Sequence, residues 1–219
     1  MTLTLRFTES DLSRLGPRHL AYGFLVTWVV GLGRYWDHPD PYLVQAIGVG
    51  SLLVMGGLGL LLYGLLWPLR PARWSLLHLY TFLSLTALPA LLYAIPVERF
   101  LSLGTARSAN VWLLATVALW RVAMLGRYLA RRTDISGGLL FLALLLPLAL
   151  VVLVLTALNL EQAVFNIMAG VREEEGTADD SAYQILFLIS AASIMSAPVL
   201  LLAYGIAIWR RWRPRREAA

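Results

Sequence analysis

The chain has 219 residues, of which 59% are hydrophobic and 14% charged, with a formal net charge of +5 and a mean hydropathy of +0.70. A soluble globular domain cannot cover that much apolar surface with so few charges, so that class is excluded. The absence of cysteine excludes disulfides and thiolate chemistry, and the eighteen basic residues, all arginine, form no separate domain suited to nucleic acid.

Several apolar runs have the length of about 20 residues that crosses a hydrocarbon core of about 30 Å. The fold class is therefore an all-α, polytopic transmembrane helix bundle, with residues 19–209 as a single helical domain. Residues 1–18 form a cytoplasmic or interfacial arm that mixes acids and bases; it lacks a small-residue cleavage site, so a cleaved signal peptide is not expected. The first run, 19–36, is short and holds Gly23, Gly31 and Gly33. It crosses if Tyr35 and Trp36 mark its far interface; otherwise it lies flat and five crossings remain instead of six. The stretch GRYWDHPD sets Arg34, Tyr35, Trp36, Asp37 and His38 together, either as an interfacial belt or as contacts for a lipid headgroup.

The second run, 42–67, is rich in glycine, and Gly56, Gly57 and Gly59 are expected to bring backbones close. The third, 74–97, contains Pro89 and ends beside Glu98; the fourth, 110–129, carries Arg121. The fifth, 138–160, contains Pro147 as an expected kink. The sixth, 183–209, contains Pro198 and the small residues Ser193, Ser196 and Ala197. Between the last two lies VREEEGTADDS, within the polar connection 161–182. Its consecutive acids lack the alternating ligand spacing of a calcium loop, so it reads as a solvated loop, with a cation- or partner-binding loop as the alternative, and no structural metal or other cofactor is expected. Residues 210–219 form a basic cytoplasmic tail, in which Arg210, Arg211 and Arg213 suit anionic lipid headgroups.

The arginines test this threading. With six crossings, thirteen fall on one side: Arg6, Arg14, Arg18, Arg70, Arg73, Arg127, Arg131, Arg132, Arg210, Arg211, Arg213, Arg215 and Arg216. Four fall on the other: Arg34, Arg99, Arg107 and Arg172. The asymmetry places both termini in the cytoplasm, in a membrane of the bacterial cytoplasmic (inner) type.

Arg121 stands apart from this pattern, flanked by apolar residues in ATVALWRVAML. About ten residues separate it from either end of its run, roughly 15 Å at the helical rise. A guanidinium facing lipid at that depth costs about 3 kcal/mol or more, so it is expected to face the bundle interior. Helical periodicity puts Asn110, Leu114 and Tyr128 within about 20° of it, giving one partly polar stripe. Its candidate counter-charges are Glu98, Glu161 and Asp37, all near the far ends of their runs. From the end of the fifth run onward, Asn159, Gln162 and Asn166 recur at helical spacing, either as an exposed helix end or as a polar wall facing Arg121.

Catalytic templates are missing. His19, His38 and His78 are isolated, and there is no HExxH, GxSxG or phosphate-cradling GxxxxGK[ST] sequence. Three functional classes follow. The first is a non-enzymatic accessory subunit, scaffold or membrane-organising factor, present as a homo-oligomer or in a larger membrane complex. The second is a small channel or transporter with Arg121 lining an aqueous or anion path. The third is an interfacial lipid-modifying enzyme using Asp37, His38 or Glu98.

Overall fold

The computed structural model describes residues 10, 12, 14–35, 43–158 and 181–213. Regular structure among them is entirely helical: α1 (Pro17–Tyr35), the short α2 (Leu43–Ala46), α3 (Val49–Leu66), α4 (Leu76–Leu85), α5 (Leu103–Arg132), α6 (Gly137–Ala157) and α7 (Ser181–Trp212). The 3-10 segments Trp67–Leu69, Leu88–Ala94 and Val97–Arg99 join α3 to α4 and α4 to α5. Among the described residues five stretches are long and apolar enough to cross a membrane: Val49–Leu69, Leu76–Ala94, Gly104–Arg132, Gly137–Ala157 and Phe187–Trp212. The protein is a helical membrane bundle.

Helix α1 is not among those five, yet it packs along the others. A Cβ at Gly23 would meet Ser84, and one at Gly33 would meet Ala94. The numbers rise together, so α1 runs parallel to the chain from α4 to Ala94 and covers a similar depth. Thr27 is buried on this seam; its hydroxyl donates to the Gly23 carbonyl at 2.9 Å and approaches the Ser84 carbonyl at 3.5 Å. The opposite face of α1 leaves Tyr22, Leu25 and Val29 exposed. Helix α3 begins at Gly48, whose φ of 72° is readily reached without a side chain. That turn lets the Gly48 carbonyl lie against Gly31 of α1.

Two runs differ from their sequence outlines. The third is a ten-residue α-helix that ends at Leu85, followed by a 3-10 segment with Pro89 in its first turn. Proline has no N–H for an α-helical bond and disfavours the α conformation of the residue before it, so the break falls just upstream. Buried Thr86 and Ser84 return their hydroxyls to the Leu83 and Thr81 carbonyls, stabilising the irregular backbone. The fourth run lengthens to the 30 residues of α5, about 45 Å at 1.5 Å per residue.

The main apolar core lies towards one end, where Leu62, Leu66 and Leu69 meet Leu79, Phe82 and Leu83, and Met124, Tyr128, Leu129 and Ile135. Leu12 and Leu15 close it from the N-terminal arm. Phe82 and Tyr128 stack there with ring centroids 4.4 Å apart. A smaller cluster of Val30, Ala90 and Val117 lies nearer the other end. Of the glycines in α3, Gly59 sits against the Tyr80 ring, whereas Gly56 and Gly57 have open space where a Cβ would be.

Candidate functional site

Arg121 lies on the inward face of α5, between buried Val117 one turn before and buried Met124 and Tyr128 after it. Helical side chains tilt towards the N-terminus of their helix. The guanidinium is thereby carried back towards the Val30–Ala90–Val117 cluster, against which Tyr93 packs. The residue is half-buried, and among the residues whose side chains are described, which leave out Glu98, no ion pair to it is found. Asn110 is half-buried three turns earlier. Tyr128 is fully buried in the leucine core; its hydroxyl has no hydrogen-bond partner among the described residues, and Arg132 lies within electrostatic reach. The stripe is therefore interrupted by apolar side chains, and its polar members do not converge on one point.

The convergence of polar groups lies instead at the arginine-rich end. The sequence WPLRPARW bends through a 3-10 turn, and Arg70 and Arg73 take left-handed conformations at φ 47° and 53°. Such backbone is uncommon for a residue with a side chain and persists where surrounding contacts hold it. Those contacts are visible. The Arg70 guanidinium lies 3.5 Å from the Trp212 ring centroid, and the Trp212 indole donates to the Pro68 carbonyl at 2.8 Å. Asp134, between α5 and α6, accepts from the Ala72 N–H at 2.9 Å through one oxygen and pairs with Arg211 through the other. Trp74 stacks on Tyr63 at 5.7 Å. The last turn of α7 is thus tied to both connecting loops.

Asp134 is the electrostatic centre of this latch. Its partial burial alone would raise the carboxyl pKa, but the Ala72 N–H and the Arg211 guanidinium together outweigh it and hold the group below its ordinary value. Two cavities flank the latch. One of about 360 Å³ is lined by Tyr63, Trp67, Arg70, Pro71, Trp74 and Trp212. The other, of about 530 Å³, lies between α6 and α7 with Arg210 and Arg211 at its edge. Arg121 lines neither.

The remaining sequence candidates are dispersed. Arg210 is exposed, Arg211 is in the latch, and Arg213 covers the Trp209 ring at 3.4 Å. Arg34 and Tyr35 close α1, and Glu98 lies in the Val97–Arg99 turn. Trp36, Asp37 and His38 lie outside the described residues, as do Asn159, Glu161, Gln162 and Asn166. Among the described residues no group of three or more histidines and acids could hold a metal. Asp134, Arg70, Trp212 and Tyr93 carry the observed contacts but were not candidates; the available signal was a lone acid among loop arginines, and tryptophan beside arginine in two separate segments. Comparison with known protein families, with characterised proteins and with solved structures finds no match to this chain.

Proposed function

We propose that the chain is a non-enzymatic membrane protein, an accessory subunit or membrane-organising scaffold, with both termini cytoplasmic. One observation carries this reading: polar side chains within the bundle donate to backbone carbonyls of neighbouring segments. Tyr80 donates to Gly56 at 2.6 Å, Tyr204 to Leu65 at 2.5 Å and Trp28 to Ile47 at 2.7 Å. Such bonds fix one segment of the bundle against another. The long apolar faces left outward on α5 and α7, including Trp112, Leu119, Phe187, Met195 and Val199, suit lipid or the helices of a partner, a second copy included.

A second reading is favoured by Arg121 alone. Half-buried among apolar helices, and with no ion pair among the residues whose side chains are described, it suits an anion path through the bundle. Liposome reconstitution separates the two. The scaffold reading expects anion efflux no faster than from protein-free vesicles, and crosslinked species larger than the 24.3 kDa chain in native membranes. Anion efflux that is lost in Arg121→Leu, with the fold retained, would replace it by the second reading.

A further inference from the structure

We infer that the groove between α6 and α7 at the arginine-rich end is a discrete binding site for an anionic phospholipid. This goes beyond the scaffold reading and does not depend on it. The groove has a cavity of about 530 Å³, within the range of sites that hold a small amphiphile. It exists because α7 presents Ala203 and Ala207, one turn apart, opposite Leu139 and Leu142 of α6. Larger side chains at those two positions would close it. The floor is apolar, and the charged groups on its lining are the guanidiniums of Arg210 and Arg211.

The two arginines are not equivalent. Arg211 is anchored by Asp134, which fixes its guanidinium at the edge of the groove. Arg210 is exposed and, among the described residues, has no acidic partner. Two guanidiniums against one carboxylate leave a local positive excess beside an apolar trough. A free anion would gain nothing from the floor, and a zwitterionic lipid would gain little from the excess charge. An anionic phospholipid uses both: its phosphate meets Arg210 and Arg211, and one acyl chain lies along Leu139, Leu142, Ala203 and Ala207. The flanking positions Phe141 and Leu202 are each 67% exposed on apolar helices, so the trough faces the same medium as the lipid-contacting surface.

The test uses the full chain purified in a neutral detergent and native mass spectrometry of retained lipid. Phosphatidylglycerol and phosphatidylcholine with the same acyl chains are offered at equal concentration. The wild-type chain should retain the anionic lipid about fivefold more, as one basic residue near a headgroup provides. Arg210→Gln should lower that ratio by about the same factor, and Ala203→Leu should reduce retention of both lipids. Both positions are exposed, and an unchanged thermal midpoint would show that each variant is folded. Inorganic phosphate at the same concentration should displace nothing. Equal retention of the two lipids by the wild-type chain, or a preference unaltered in Arg210→Gln, would overturn the assignment. Displacement by inorganic phosphate would overturn it too, pointing to an anion site without a role for the acyl chain.

Discussion

Replacing Asp134 with alanine should release the last turn of α7 from the loop between α3 and α4 while leaving the helices intact. Two interactions are lost at once: the bond from the Ala72 N–H at 2.9 Å and the pair with Arg211. The side chains of Arg211 and Asp134 are 27% and 46% exposed, so solvent screens their attraction. A pair of that kind contributes about 0.2–1 kcal/mol. A charged acceptor on a backbone N–H contributes about 1 kcal/mol after a similar discount for exposure. Asp134→Ala should therefore destabilise the bundle by about 1–2 kcal/mol. Asp134→Asn, which keeps an acceptor for Ala72 but loses the charge, should cost about 0.5 kcal/mol.

The pH dependence has a definite sign. Because the native carboxyl is held below its ordinary value, its contribution is fully present above the unfolded aspartate range, near 3.9. It disappears as pH falls through the lowered native value. Thermal unfolding in a non-ionic detergent, followed by tryptophan fluorescence, should show the same gap between wild type and Asp134→Ala at pH 7 and pH 5. The gap should narrow only below about pH 4. A midpoint for Asp134→Ala equal to wild type at pH 7, or a gap that persists unchanged to pH 3, would refute the role assigned to the latch.

Gly59→Ala should destabilise the bundle by about 1–3 kcal/mol, because the new methyl meets a Tyr80 ring whose hydroxyl is anchored on Gly56. Gly57→Ala has open space and should be neutral or slightly stabilising in the same unfolding assay. Tyr204→Phe removes the bond to the Leu65 carbonyl and should cost about 1 kcal/mol, measured as a lower unfolding midpoint with unchanged helical circular dichroism. Single cysteines introduced at Ser136 and Ala178 should react with a membrane-impermeant reagent from opposite sides; labelling of both from one side would overturn the arginine-based threading.

The helices were legible because an apolar run long enough to cross lipid has few other stable states. Their ends were less so. Helix α5 continues through Arg127, Arg131 and Arg132, where hydropathy falls but helix propensity does not, since arginine is a good helix former. The break after Leu85 was written in Pro89, but a count of apolar residues passes over it. The latch was illegible for a different reason. Asp134 lies 62 residues from Ala72 and 77 from Arg211, and no local pattern links those positions. They meet only because α3 to α7 alternate in direction and return their arginine-bearing ends to one level.

Arg121 shows where an argument from cost stops. The penalty for a guanidinium in lipid constrains which way the side chain turns, and α5 does place its Cα on the inward face. The same penalty says nothing about the partner, because a carboxylate, a phenol, a carbonyl or water each relieves it. Depth estimated from the Cα also misleads. Side chains on α5 tilt towards its N-terminal end, so the charge sits nearer the Val30–Ala90–Val117 cluster than residue counting suggests. The number of residues to either interface therefore overstates how isolated the charge is. The surroundings reached by that tilt include Ala90, which is set by the 3-10 segment that holds Pro89 in its first turn, two steps away from anything visible in the fourth run itself.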